Sequence, residues 1–313
     1  MSGRVWVLDY NETTGDASST LLFQTNGQFI SSFGLDERGE LYFSDYGANA
    51  EIYKIDDGIS NEEGTAVNGF GTWESLGQGI PNGEVNAVAS SPNGNIYNGG
   101  AFNQAGNITA NNIAVWDGTN WSPLGTGSNG PINAIQILPN GNVVVGGSFT
   151  EIGGVSTSGI AMWDGSNWSS LDTGINGSIF ALTVDSAGIM YAAGIFETIG
   201  GSSFRNIASW NGTQWSPLTD SNTAISGTNN EIRSMVFDDE GILYVGGNFD
   251  EAGGNTANRI ATWNGTNWGT LGAGTSGFVQ AIASNGSDIY VGGNFAIAGG
   301  MTVNRIARWN KDT

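Results

Sequence analysis

LYVGGNFDEAGGNTANRIATWNGTNWGTLG, residues 243–272, is one copy of a sentence that runs five times through residues 73–313. Ten of the eleven tryptophans fall on it in two columns. Trp116, Trp163, Trp210, Trp263 and Trp309 form the first, and Trp73, Trp121, Trp168, Trp215 and Trp268 the second. Successive members of the second column stand 48, 47, 47 and 53 residues apart. A period of this size means stacked supersecondary units, each unable to bury its apolar face alone.

Residues 132–171 show what one unit contains. INAIQIL (132–138) alternates as a strand, and PNG (139–141) is a turn whose Asn-Gly pair supplies positive φ. NVVVGG (142–147) is the next strand, and SFTEIGGVSTSG connects it to GIAMW (159–163). The turn DGSN then leads to WSSL (168–171). Four antiparallel strands in about 40 residues are the content of one propeller blade.

Three columns favour a radial arrangement. A small residue recurs in each first strand, at Ser32, Ala87, Ala134, Ala181, Ser234 and Ala281, where strands converging on an axis are crowded. Diglycines at Gly99–Gly100, Gly146–Gly147, Gly246–Gly247 and Gly292–Gly293 permit close backbone approach. The paired tryptophans face each other across a four-residue turn, placed to wedge between neighbouring blades. A column repeated in every blade is what packing between blades requires, so all ten are expected to be structural.

The expectation is an all-β, six-bladed β-propeller of four antiparallel strands per blade, filling residues 1–313 as one domain. Blade cores lie near 30–76, 85–124, 132–171, 179–218, 232–271 and 279–309. The last copy stops after its third strand, and TLLFQT (20–25) is expected to complete that blade and close the ring. VWVLDY (5–10) is then surplus: it adds to the closing blade, competes with 305–309, or pairs with another chain.

The order YVGG, a loop of about a dozen residues, then aromatic, turn, Trp and Leu resembles the kelch repeat. It is most similar to the bacterial kelch-like repeats related to the fungal cortical polarity-marker proteins, with their IAxWNG and FxxAGG segments. The resemblance covers 73–313 and implies an interaction module. Residues 4–55 instead resemble the closing segment of soluble quinoprotein glucose/sorbosone dehydrogenases. That family's catalytic base is a histidine, and this chain has none.

Composition removes several chemistries. With no cysteine and no histidine, disulfides, thiolate sites and histidine-based catalysis are excluded. A formal net charge of −20 disfavours nucleic acid and anionic membranes as partners. No apolar run is long enough to insert in a bilayer. MSGRVWVLDY is not a signal peptide. The chain is then either cytoplasmic or a mature or excised piece with an added methionine, and the repeats favour the second, from a secreted or cell-surface protein.

Function is expected on the face bearing the long loops between second and third strands and the connection 219–231, whose six-residue insertion breaks the period. Glu151, Glu197, Asp220, Asp250 and Glu251 lie there, together with Asn229. The reading is a non-catalytic recognition or scaffold module binding a protein or glycan, with no cofactor. Calcium is compatible with the plentiful oxygen donors of Asp, Asn and backbone carbonyls. The alternatives are a carboxylate-based glycan hydrolase or lyase and a purely structural module. A monomer is expected, with strand exchange as the other arrangement. Arg205, Arg259 and Arg305, which open three third strands, are expected to pair with carboxylates of a neighbouring blade.

Overall fold

The computed structural model describes residues 74–311 except 172–174 and 286–287, and before them the backbone of the strands Gly3–Asn11, Asp16–Thr25, Phe29–Leu35, Leu41–Tyr46, Ile52–Ile55 and Trp73–Ser75. The fold is all-β and propeller-like, with four-stranded antiparallel sheets as its blades. Phe29–Leu35 opens the first sheet and Trp73–Ser75 ends it. The second is Gly83–Ser90, Ile96–Phe102, Ile113–Trp116 and Trp121–Pro123, paired in that order. The third, fourth and fifth sheets repeat the pattern from Ile132, Ser178 and Ile232. Their first strands pack side by side in sequence order, from Phe29–Leu35 through to Val279–Ser284.

The local chemistry of each turn fixes this register. In the hairpin from third to fourth strand, the Asp117 carboxylate accepts from the amides of Thr119 and Asn120, while Gly118 takes φ 94°. Asp164, Asn211 and Asn264 do the same in the next three sheets. The turn delivers its flanking tryptophans as cross-strand pairs, Trp116 with Trp121 and Trp163 with Trp168, ring centroids 5.4 and 5.3 Å apart.

The second-column indoles then reach across to the preceding sheet. Trp121 donates to the Leu76 carbonyl at 2.9 Å, Trp168 to Leu124 at 3.0 Å and Trp268 to Leu218 at 2.9 Å. Each of the three is buried. The diglycines meet the following sheet: a Cβ on Gly146 would lie 2.4 Å from Ile179 Cγ2. Between these contacts the second strands are dry, and every residue of Val143–Gly147 is buried.

Two features depart from expectation. The long connections are folded, each carrying a hairpin of two-residue strands such as Glu151–Ile152 with Val155–Ser156. Each of four hairpins also bridges to the connection entering its own sheet, as Ser128 does to Ile152. The second departure is at the ends. Among the described residues the sixth sheet has three strands, Val279–Ser284, Asp288–Gly293 and Ile306–Asn310. Residues 20–25, expected to complete it, lie in Asp16–Thr25 and pair along their length with Gly3–Asn11. Only a few residues join those two strands, so their pairing costs little chain entropy. Trp309 is correspondingly 37% exposed, unlike the tryptophans seated between sheets. The acidic stretch 56–72 lies outside the described residues.

Candidate functional site

Every first strand contains a β-bulge at the same place. In the third sheet the register shifts between Ile132 and Ala134, so that Asn133 stands outside the ladder. The equivalent shifts single out Ser31, Asn86, Phe180, Arg233 and Gln280. A bulge re-aims the side chain it carries. On either side the sequence repeats: an aliphatic residue before the bulge, buried in sheets two to six, and Ala or Ser after it. At the bulge itself it varies, as Ser, Asn, Asn, Phe, Arg and Gln.

Because the first strands are neighbours, these residues form a row, at the end of the sheets where the connections enter. The Asn86 amide donates to the Ile132 carbonyl at 3.3 Å and to Asn133 Oδ1 at 3.4 Å. The Asn133 amide donates to the Ile179 carbonyl at 3.0 Å. Next to it, the Arg233 guanidinium lies over the Phe180 ring, 4.2 Å from its centroid, and pairs with Glu231 at 2.8 Å. Arg233 and Gln280 are exposed, and Asn86, Asn133 and Phe180 are partly so. The row thus offers amides, an aromatic face and a partly neutralised cation within one strip. Such a surface can hold a polar chain by hydrogen bonds and stacking.

The residues expected from sequence divide differently. Glu151, Glu197, Asp250 and Glu251 are exposed on the hairpins, distributed over three sheets. Asn229 is a clip: its side-chain oxygen accepts from the amides of Asp250 and Glu251, and its amide donates to the Asp250 carboxylate. Asn129 and Asn176 hold the preceding hairpins in the same way. Asp220 is fully buried. Its carboxylate accepts from the amides of Trp268 at 2.8 Å, Asn222 at 2.9 Å and Thr223 at 3.2 Å. These bonds, that of Trp268 foremost, hold its pKa below the usual carboxylate range. The insertion is therefore fastened to the fifth sheet, with Ser221 and Asn222 bonded to Asn267 and Thr223 to the Gly253 carbonyl.

Arg205, Arg259 and Arg305 adopt left-handed backbone, with φ of 51°, 64° and 66°. The ion pairs found among the described residues join Arg233 to Glu231, Arg308 to Asp288 and Lys311 to Asp238. The bulge row was not anticipated from sequence. Its signal was a polar or aromatic residue set between a recurring aliphatic residue and a recurring Ala or Ser. Among the described residues no three Asp, Glu, His or Cys side chains converge on one point. No helix among them is long and apolar enough to cross a membrane.

Residues 71–226 match the family model described as the Rax2 C-terminal beta propeller domain. Among solved structures, the chain is similar to the WD40 beta propeller domain of Doa1, with 13% identity over 98% of this chain and 85% of that one, at a TM-score of 0.59. A chain of the mitotic checkpoint complex shares 11% identity over 92% and 78%, at 0.54. PorZ, a surface component of the type-IX secretion system of Porphyromonas gingivalis, shares 14% over 93% and 42%, at 0.53. At these identities the likeness is one of fold. No curated protein matches the chain.

Proposed function

We propose that this chain, which over residues 71–226 carries the Rax2 C-terminal beta propeller domain of the cortical polarity-marker family, is a non-catalytic recognition module of a secreted or surface protein. In this reading its six sheets are six blades of one ring. The bulge row Asn86, Asn133, Phe180, Arg233 and Gln280 is the binding surface, and the occupant is an extended segment of another protein. One observation carries this: the residue that the bulge turns out of the ladder is Asn, Asn, Phe, Arg or Gln in five successive sheets, set between an aliphatic residue and an Ala or Ser that recur in each. Packing demands sameness in a repeat, and recognition demands difference.

Carboxylate chemistry has less support. Asp220 is buried with its carboxylate accepting from three backbone amides, and Glu151, Glu197, Asp250 and Glu251 are spread over three sheets. The test is a peptide array and a glycan array probed in parallel with wild type and with Phe180→Ala and Arg233→Ala. Peptide ligands lost by both variants at unchanged melting temperature support the reading. Glycan hits alone replace the partner class, and hits untouched by either variant sink the site.

A further inference from the structure

The turn from third to fourth strand opens on an aspartate in the second and third sheets and on an asparagine in the next two. Asp117-Gly118 and Asp164-Gly165 thus correspond to Asn211-Gly212 and Asn264-Gly265. In all four turns the side-chain oxygen of the first residue accepts from the amides of the third and fourth. The same frame therefore holds a carboxylate or a carboxamide.

In the two asparagine turns a third donor joins. The Thr213 hydroxyl donates to Asn211 Oδ1 at 2.9 Å, and the Thr266 hydroxyl to Asn264 Oδ1 at 3.0 Å. Three donors on one amide oxygen draw charge from Cγ and stand where an oxyanion would form. A nucleophile is adjacent. Glycine has no Cβ to shield its nitrogen, and among the described residues no acceptor holds the N–H of Gly212 or Gly265. Both asparagines are exposed to water.

Two other exposed Asn-Gly pairs supply the contrast, Asn93-Gly94 and Asn140-Gly141 in turns from first to second strand. There the glycine amide is engaged, donating to the Ser91 and Leu138 carbonyls at 2.8 Å each. Among the described residues Asn140 Oδ1 has one donor, the Asn142 amide, and Asn93 Oδ1 has two, the Asn95 amide and the Ser91 hydroxyl.

We propose that Asn211 and Asn264 deamidate spontaneously in the folded protein, through attack of the following glycine nitrogen on Cγ. The glycine N–H gives its proton to water as the N–Cγ bond forms, and the oxyanion lies under the three donors. The Cγ–Nδ2 bond then breaks, and Nδ2 leaves as ammonia with the proton that glycine lost. The succinimide ring that remains takes up one water. Opening at Cγ leaves aspartate, and opening at the main-chain carbonyl leaves isoaspartate. The aspartate product reproduces the turns of Asp117 and Asp164. At Asp117 the backbone amides, that of Asn120 foremost, hold the carboxyl below the usual carboxylate range, so it is charged and stays bonded. Asn211 is the faster site, because the Ser221 amide pins the Thr266 carbonyl of the other turn at 3.1 Å. This inference is independent of the recognition role.

The folded protein is incubated in mildly alkaline buffer and mapped by mass spectrometry, which follows the exchange of NH2 for OH at each site. Electron-transfer fragmentation separates aspartate from isoaspartate. Asn211 and Asn264 are expected to convert severalfold faster than Asn93 and Asn140, and the difference should vanish in urea. Equal rates in the folded chain, or faster conversion at Asn93 or Asn140, would overturn the proposal. A second measurement removes one donor. Thr213→Val should slow Asn211 severalfold and leave Asn264 unchanged, and Thr213→Ser should restore the rate. An undiminished rate in Thr213→Val shows the three-donor frame to be idle and overturns it.

Discussion

The indole of Trp168 donates its N–H to the carbonyl of Leu124 at 3.0 Å, across the boundary between the third and second sheets. One side chain thereby fills an inter-sheet gap and satisfies a backbone acceptor that burial would otherwise strand. Trp168→Ala should cost about 3–5 kcal/mol. Trp168→Phe keeps most of the apolar contact and should lose about 1 kcal/mol for the missing bond. Urea unfolding of the two variants checks the order, and a smaller loss for alanine than for phenylalanine would contradict it.

Asp220 secures the inserted connection to the fifth sheet through the Trp268 amide. Asp220→Ala should lower the denaturation midpoint and open 219–231 to limited proteolysis before the rest of the chain is cut. Cleavage at an unchanged rate would show that the insertion holds itself. Asp220→Asn should be milder, since one oxygen remains to accept.

The Lys311 ammonium meets the buried Asp238 carboxylate at 3.1 Å, tying the end of the last strand to a turn of the fifth sheet. Burial works to raise the Asp238 pKa, but the Ile242 amide and Lys311 outweigh it and the net shift is downward. A depressed carboxylate contributes stability above its unfolded pKa and loses it as pH falls through the folded one. Stability should therefore decline on acidification below about pH 4. Asp238→Ala should cost about 2 kcal/mol at neutral pH and flatten that decline. Burial, then Asp238, pushes the Tyr244 phenol up to about 12. A raised group gives stability that is lost above its unfolded pKa, so a second decline should begin near pH 10. Thermal melts across pH 2–11 read both edges.

Much of this was legible because the repeat samples each position several times. The tryptophan columns, the diglycines and the Asn-Gly turns named their roles through spacing alone. What escaped depends on contacts that no local pattern encodes. The two-residue strands of each hairpin are too short to alternate. Asp220 reads as a surface carboxylate until the Trp268 amide, 48 residues on, is seen to need it. A bulge is a count of two residues against one, and only the partner strand reveals it. The pairing of Asp16–Thr25 escaped for another reason: apolar character made it look like a missing fourth strand, while proximity in the chain gave it to Gly3–Asn11.

The displaced residue in each first strand has a consequence for how such a module changes over time. It contributes no rung to its own sheet, so replacing it leaves the strand pairing intact. Gln280 could become an acid or a tyrosine without the ladder registering the exchange, whereas Asn86 and Asn133 also bond the next sheet. The sheets are then a fixed frame around a short text, whose letters can be rewritten wherever no neighbouring letter holds them.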